Sequence, residues 1–413
     1  MITEQSPNSK QEGVASLTYL FFTFLKVGMV SFGGNMALVA VIKNIMVDRD
    51  KRLKNETILD AVGIASLLPG PMAVNVVAYI GYDLRKRMGA VVSMTGVILP
   101  ACTAMLMLSW AYFKFGYHQQ FKEVMYYVTG AVSAIIASTG FQLFAKSLTD
   151  NKAKIIICIL SVAGIILTNS FLLTMAFITA GGMLGVWLNI DGKKNLAESN
   201  STPAQKPVFG LSKSSLAALT GLGSMMLLFI SNAQQYTHNI IVKMILVFGG
   251  ISLTLFGGGY VMIPIMQNLF VTEMHWLTNQ EFLDAIAFSQ STPGPILVSA
   301  TFIGYKLSGV IGAVLATIAI FAPSAILMIL VSRLYGGLKH HVLTKKILAG
   351  VKAVVIGLII GAAVKIAQQV TWGVPLAAIT VISFIASFRY KVSPVYIILS
   401  SALAGYVTWY FSK

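Results

Sequence analysis

Any chemistry in this chain would be done by neutral groups gathered around glycine and proline. Ser31, Gly33, Gly34 and Asn35 form one cluster, and Pro69, Gly70 and Pro71 with Asn75 form a second. Gly257, Gly258 and Gly259 form a third, and Gln290, Ser291, Thr292, Pro293, Gly294 and Pro295, with Ser299 just beyond, form a fourth. Glycine and proline interrupt helices, and a helix that restarts after a break points unpaired amides and its positive dipole end at whatever lies beyond. That is an anion site that needs no charged side chain. The flanking amides and hydroxyls could donate to oxyanion oxygens. Each hydroxyl has a local alternative, a bond to a carbonyl of its own helix. The glycines and prolines also have one, as kinks or surfaces for close helix packing.

Three ionisable residues join these clusters. Lys26 lies in an apolar run two turns before Gly33, where it could help neutralise an anion or snorkel to the nearer interface. Asp60 and Asp284 precede the two proline clusters at matching positions. They are candidates for ion coupling or gating, or for capping the helices that follow.

The clusters recur at one offset of 224 residues, Gly33 to Gly257 and Gly70 to Gly294. Other matches keep the same order along the chain: Leu53 with Leu277, Ile80-Gly81-Tyr82 with Ile303-Gly304-Tyr305, Pro100 with Pro323, Gly130 with Gly350 and Gly185 with Gly405. A shared apolar composition would not preserve order, so the chain reads as a duplication.

The elements that must position these clusters are membrane helices. The chain is 56% hydrophobic and 11% charged, with mean hydropathy +0.78, whereas soluble domains carry about 25% charged residues. Apolar runs such as 90–113, 124–144 and 309–330 are long enough to cross a hydrocarbon core of roughly 30 Å. Each half reads as two broken segments followed by four continuous helices: 17–47, 57–82, 88–113, 124–148, 153–168 and 170–188, then 240–270, 280–307, 309–334, 345–369, 373–388 and 393–411. The domain reading is a polar tail over 1–16, a first repeat over 17–188, a cytoplasmic linker over 189–213, one linking transmembrane helix over 214–231 and a second repeat over 232–413. The fold class is therefore an all-α polytopic membrane protein with two repeats and broken or re-entrant helices.

A half with an even number of crossings ends on the side where it began. The single linking helix then starts the second half on the opposite face, which makes the repeats inverted. Loop charge agrees. With a cytoplasmic N-terminus and re-entrant broken segments, 22 of the 30 basic residues fall on the inner side, as the positive-inside rule requires. The loop 47–55 is rich in Lys and Arg, whereas its counterpart 271–279 has none and carries Glu273.

Other classes find no support. Cys102 and Cys158 lie in apolar segments and suggest neither a disulfide framework nor a metal site. The five His are scattered, and no HExxH or GxxxxGK[ST] occurs. The expectation is a transporter and not an enzyme, with no cofactor, no metal and no nucleic-acid partner. Its partners would be a small oxyanion and the lipid bilayer, and a homodimer stays open.

The motifs together carry a resemblance. Phe24-Leu25-Lys26-Val27-Gly28, Ser31-Phe32-Gly33-Gly34, Leu68-Pro69-Gly70-Pro71 and Ile80-Gly81-Tyr82 resemble the chromate ion transporter family of the long, two-domain type. So do Phe256-Gly257-Gly258-Gly259-Tyr260-Val261, Trp276-Leu277, Gln290-Ser291-Thr292-Pro293-Gly294-Pro295 and Phe302-Ile303-Gly304-Tyr305. Asn35 stands where the family commonly has Pro. The resemblance implies a multi-pass protein of the bacterial inner membrane that exports chromate and confers chromate resistance. Alternating access would be driven by membrane potential or ion coupling. Sulfate or another oxyanion is the alternative substrate, and a lipid or other solute a more distant one.

Overall fold

A computed structural model describes residues 15–31, 35–116, 118–167, 171–188, 239–254, 259–332, 342–369 and 372–411. The linker 189–213 and the linking helix 214–231 lie outside the described residues, as do Gly33, Gly34, Gly257 and Gly258.

Among the described residues there are helices and no strand. The first half contains α1 (Leu17–Val30), α2 (Asn35–Ile42, continued by a π-turn over Lys43–Arg49), α3 (Asn55–Leu67), α4 (Met72–Phe115), α5 (Gln119–Ser147), α6 (Lys152–Leu167) and α7 (Phe171–Trp187). The second half repeats this order. It contains α8 (Ile240–Thr254), α9 (Met262–Gln267, continued by a π-turn over Asn268–Glu273), α10 (Asn279–Ser291), α11 (Ser299–Ser332), α12 (Val342–Gln369), α13 (Val374–Phe388) and α14 (Pro394–Phe411). Five helical stretches are long and apolar enough to cross a membrane, among them Gln119–Ser147 and Pro394–Phe411. Residues such as Met107, Ile159, Ile311 and Leu403 turn their side chains outward, as a bilayer-facing surface requires.

The broken segments are hairpins of half-helices. α1 has 14 residues, roughly 20 Å at 1.5 Å per residue, too short for a span. Its start meets the far end of the same segment: the Tyr19 hydroxyl donates to Asp50 Oδ2 at 2.6 Å, and Arg52 sits 4.4 Å over the Tyr19 ring. α3 and the first part of α4 form the second hairpin, broken at Leu68–Pro71. It closes at the same end, where Arg85 Nε donates to the Ala15 carbonyl at 2.6 Å. In the second half Lys243 lies 6.0 Å over the Trp276 ring, and Lys306 pairs with Glu281, so those hairpins close likewise. Thr278 caps α10 through a capping box with Glu281, which fixes where that limb starts.

α4 measures the separation of the two sets of ends. After a kink at Arg85 (φ −143°, ψ 28°) and Lys86 (φ 52°, ψ −144°), it runs on for roughly 40 Å. Its far end reaches the open end of the second half's hairpins, where Tyr112 donates to Asp284 at 2.8 Å. The two sets of hairpins therefore open at opposite ends of one long helix, and the repeats are inverted. α11 has the matching kink at Ser308 (φ −152°, ψ 30°) and Gly309 (φ 61°, ψ −148°). The expected segments 57–82 and 88–113 are thus joined without a loop, because the turn between them costs two residues of non-helical backbone and nothing more.

The halves interlock. α5 packs against α13 and α14 of the other half, and α12 packs against α6 and α7. α4 lies against α11, its own counterpart. Close approach relies on bare backbone: a Cβ on Gly350 would overlap the Gly181 carbonyl, and one on Gly405 would come within 3.0 Å of Val124 Cα. The Gly81–Gly89 and Gly304–Gly312 pairs hold each half-helix against the span that follows it in the same way.

Candidate functional site

The breaks of the two halves meet. Gly294 donates its backbone N–H to the Ser31 carbonyl at 3.0 Å. Ser31 caps α1, with its own N–H on the Val27 carbonyl, and Gly294 sits at the left-handed turn between Pro293 and Pro295, φ +115°. Gly70 repeats that turn at φ +99°. A Cβ there would overlap the Ser324 side chain and lie 3.0 Å from the Ser252 carbonyl, near the end of α8. Gly259 lies against Ile296, the residue after the second proline motif. Each proline break thus faces the other half, in an apolar core that includes Val74, Met244, Ile251 and Leu297.

The polar side chains divide into two sets. The Ser31 hydroxyl donates to the Val27 carbonyl at 2.6 Å, Ser291 to Ala287 at 2.8 Å and Thr292 to Ser289 at 3.2 Å. These are the local bonds that stood as the alternative to donation to an oxyanion. Each proton is held by a carbonyl of its own helix, the local alternative that short hydroxyl side chains favour. The second set is free. Both polar atoms of Gln290, the Ser299 hydroxyl and the Asn75 Oδ1 are buried without a partner among the described residues. Asn75 Nδ2 donates to the Pro69 carbonyl at 3.2 Å, which folds the side chain back over the start of α4. Asn75 and Ser299 are equivalent, each four residues past the second proline of its Pro-Gly-Pro motif and each at most 1% exposed. Buried polar groups are ordinarily paired, so these four atoms are candidates for contact with a polar ligand.

The remaining sequence candidates lie at distinct places. Asn35 begins α2. Lys26 is on the outer surface of α1 and lines a groove with Ser16, Thr18, Tyr19, Phe22, Thr23, Ile45 and Arg49. That groove includes none of the glycine or proline motifs. Asp284 does not cap a helix, since Thr278 does. It sits within α10, 1% exposed, and its Oδ1 accepts from Gln280 Nε2 at 2.9 Å. Gln280 Nε2 also donates to Thr129 of α5 at 2.8 Å. Asp284 borders a cavity of about 390 Å³ lined also by Tyr112, Lys122, Tyr126 and Glu281. Asp60 is mid-helix in α3 and half-exposed. Tyr112 and Gln280 were not candidates from sequence: a tyrosine in an apolar run carries no signal until the fold sets it against a buried carboxylate. Ser252 and Ser324, around Gly70, escaped for the same reason.

A family model described as chromate transporter matches residues 18–186 and again 242–406. The chain is 28% identical over 404 residues to a chromate transport protein of Cupriavidus metallidurans, covering 95% of this chain and 94% of the relative. It is 27% identical over 410 residues to an uncharacterized transporter of Methanocaldococcus jannaschii, covering 98% of each. It is 28% identical over 400 residues to a probable chromate transport protein of Synechococcus elongatus, covering 95% of this chain and 96% of the relative. No solved structure matches.

Proposed function

The chain belongs to the chromate transporter family, and from that premise we propose that it exports chromate by alternating access. The substrate site lies between the helix starts at the four breaks. Gln290 and Ser299 supply donors, the freed amides of α4 and of the turn after Pro295 supply the positive dipole ends, and Asn75 lines the wall. Ser31, Asn35, Pro69, Gly70, Pro71, Gly259, Ser291, Thr292, Pro293, Gly294 and Pro295 shape the backbone around it, and Gly33, Gly34, Gly257 and Gly258, outside the described residues, are assigned to the same site by their place in the motifs. The observations that carry this reading are the Gly294–Ser31 bond and the buried polar atoms of Gln290, Ser299 and Asn75 Oδ1 that have no partner among the described residues. A polar site between the inverted halves is what rocking one half against the other would open to each side in turn.

The protein resides in the cell membrane with its N-terminus on the cytoplasmic side, where the basic loop 47–55 favours it. Export of an anion runs with an inside-negative potential, about 2.3 kcal/mol per charge per 100 mV, so a dianion gains roughly twice that. Asp284 is the candidate for ion coupling, because it is the fully buried member of the Asp60–Asp284 pair. Sulfate is the second reading. A site of neutral donors recognises a tetrahedral oxyanion by shape and hydrogen bonding, which the two anions share.

Purified protein in proteoliposomes, tested for saturable flux of chromate and of sulfate, decides between them. Saturable chromate flux is expected. No saturable flux of either anion in either direction would sink the oxyanion reading.

A further inference from the structure

Lys26 is the residue the transport site leaves unexplained. On α1 the exposed side chains are Thr18, Phe22, Lys26, Met29 and Val30, spaced by three and four residues and therefore on one stripe. Phe22 is 61% exposed, and Met29 and Val30 are each 49% exposed, so this stripe meets hydrocarbon. A lysine there is costly unless its ammonium finds an anion or water. Lys26 has no ion pair among the described residues. Instead it lines a groove of about 320 Å³ between α1 and the π-turn Lys43–Arg49.

The other groove-lining groups suit a phosphate. Arg49 stands across from Lys26, and the hydroxyl residues Ser16, Thr18, Tyr19 and Thr23 complete the wall. Asp50 takes part of Arg49's charge through a 2.7 Å bond, and this contact holds the Asp50 carboxyl below its ordinary range. Lys26 and Arg49 outweigh that single carboxylate, and Arg52 over Tyr19 adds a further positive charge nearby. The groove also lies at the right level. The start of α1 and the end of the π-turn close together at one end of the hairpin, where interfacial groups belong.

We propose that this groove binds the headgroup of an anionic phospholipid, with Lys26 and Arg49 on the phosphate and an acyl chain along Phe22, Met29 and Val30. A soluble oxyanion would use the charges but leave the apolar stripe without a role, and so the geometry favours a lipid. The bound lipid would bridge the two limbs of the first broken segment, α1 and the π-turn, on either side of the Gly33-Gly34 break. The second half has no such site, since Gly250 and Glu273 stand at the positions of Lys26 and Arg49. The proposal stands apart from the substrate reading, and its test needs no transport.

The test is native mass spectrometry of the full-length protein taken from vesicles of phosphatidylcholine with an equal share of phosphatidylglycerol. The wild type should retain phosphatidylglycerol in preference to phosphatidylcholine. The Lys26→Gln/Arg49→Gln double variant should lose that preference on the order of tenfold, given what two basic residues contribute near an anionic lipid surface. Lys26→Arg should keep it, which shows that the lysine variant acts through charge and not through misfolding. Lys43→Gln, an exposed basic site outside the groove, should leave it unchanged. Equal retention by the double variant and the wild type would overturn the proposal. So would displacement of the lipid by free inorganic phosphate or chromate at millimolar concentration, which would mark a soluble-anion site.

Discussion

The amide of Gly294 and the carbonyl of Ser31, 3.0 Å apart, tie the proline break of one half to the glycine break of the other. Neither residue spends a side chain on the contact. It exists because a left-handed turn turns the Gly294 N–H outward and because α1 stops at Ser31, leaving a carbonyl without an intrahelical partner.

Substitution at the two turn glycines should therefore stop transport without preventing insertion. A side chain at φ +115° or +99° costs roughly 1–2 kcal/mol in backbone strain. Gly294→Leu adds a collision with Ala101, whose Cβ is 2.9 Å from the ideal Cβ position, and Gly70→Leu collides with Ser324. We expect both variants to reach the membrane and purify as folded protein while flux falls to background. Near-normal flux from both would reduce the motifs to packing devices.

The two aspartates should separate. Asp284 is buried with Tyr112 and Gln280 on its oxygens, whereas Asp60 is half-exposed. Asp284→Asn keeps the size of the side chain and removes the charge. Flux should fall on the order of tenfold, about 1.4 kcal/mol, and should lose its response to an imposed pH gradient. Asp60→Asn should stay near wild type. Indistinguishable behaviour of the two variants in proteoliposomes would remove Asp284 from any coupling role.

Much of this arrangement was legible beforehand. The duplication fixed which positions are equivalent, and the apolar runs gave most helices to within a few residues, because membrane spans are long and strongly apolar. Equal offsets also exposed the four breaks. What pattern could not supply was partnership. Ser31 and Ser299 look alike in the sequence, yet one hydroxyl is held by a carbonyl one turn back and the other is free. Lys26 precedes Gly33 by two turns in the sequence, and only helix phase in the fold sets its side chain on the exposed stripe of α1. The π-turns at Lys43–Arg49 and Asn268–Glu273 add residues without changing composition, so no residue type announces them.

Lys86 offers a test of the repeat at the level of backbone. Its φ and ψ, 52° and −144°, match those of Gly309, 61° and −148°, in a region that suits glycine and costs other residues about 1–3 kcal/mol. Lys86→Gly should raise the thermal midpoint of the detergent-solubilised protein by a few degrees, with flux retained. Gly309→Lys should lower it. A drop in both would mean that the Lys86 side chain contributes more than its backbone costs.

Inversion and orientation together predict labelling from opposite faces. Lys54 lies at the open end of the first half's hairpins, and His275 at that of the second half's. With Cys102 and Cys158 replaced by serine, Lys54→Cys should react with a membrane-impermeant maleimide only from the cytoplasmic side. His275→Cys should react only from the outside. Reaction of both from one face would refute inversion, and the reverse pair of faces would refute the cytoplasmic N-terminus alone.

Interlocking makes a stronger demand on assembly. The partners of α5 are α13 and α14, and those of α12 are α6 and α7, so neither half can cover its own longest buried helix. Alone, each half would leave α5 or α12 without the helices its glycines approach. Gly357 would lose the Cys158 carbonyl and Gly361 the Ile165 side chain, while Gly130 would lose Leu376 and Thr380. In lipid these contacts are the driving force, because burial from water contributes little between helices already in hydrocarbon. Chains cut in the linker, as fragments 1–200 and 201–413, should therefore fail singly and succeed together. Co-expressed fragments with a tag on one should co-purify and restore flux to within a few-fold of the intact chain, since the cut removes no helix–helix contact among the described residues. A single fragment that is stable, monomeric and active by itself would show that each half closes its own core, contrary to the exchange of helices between them.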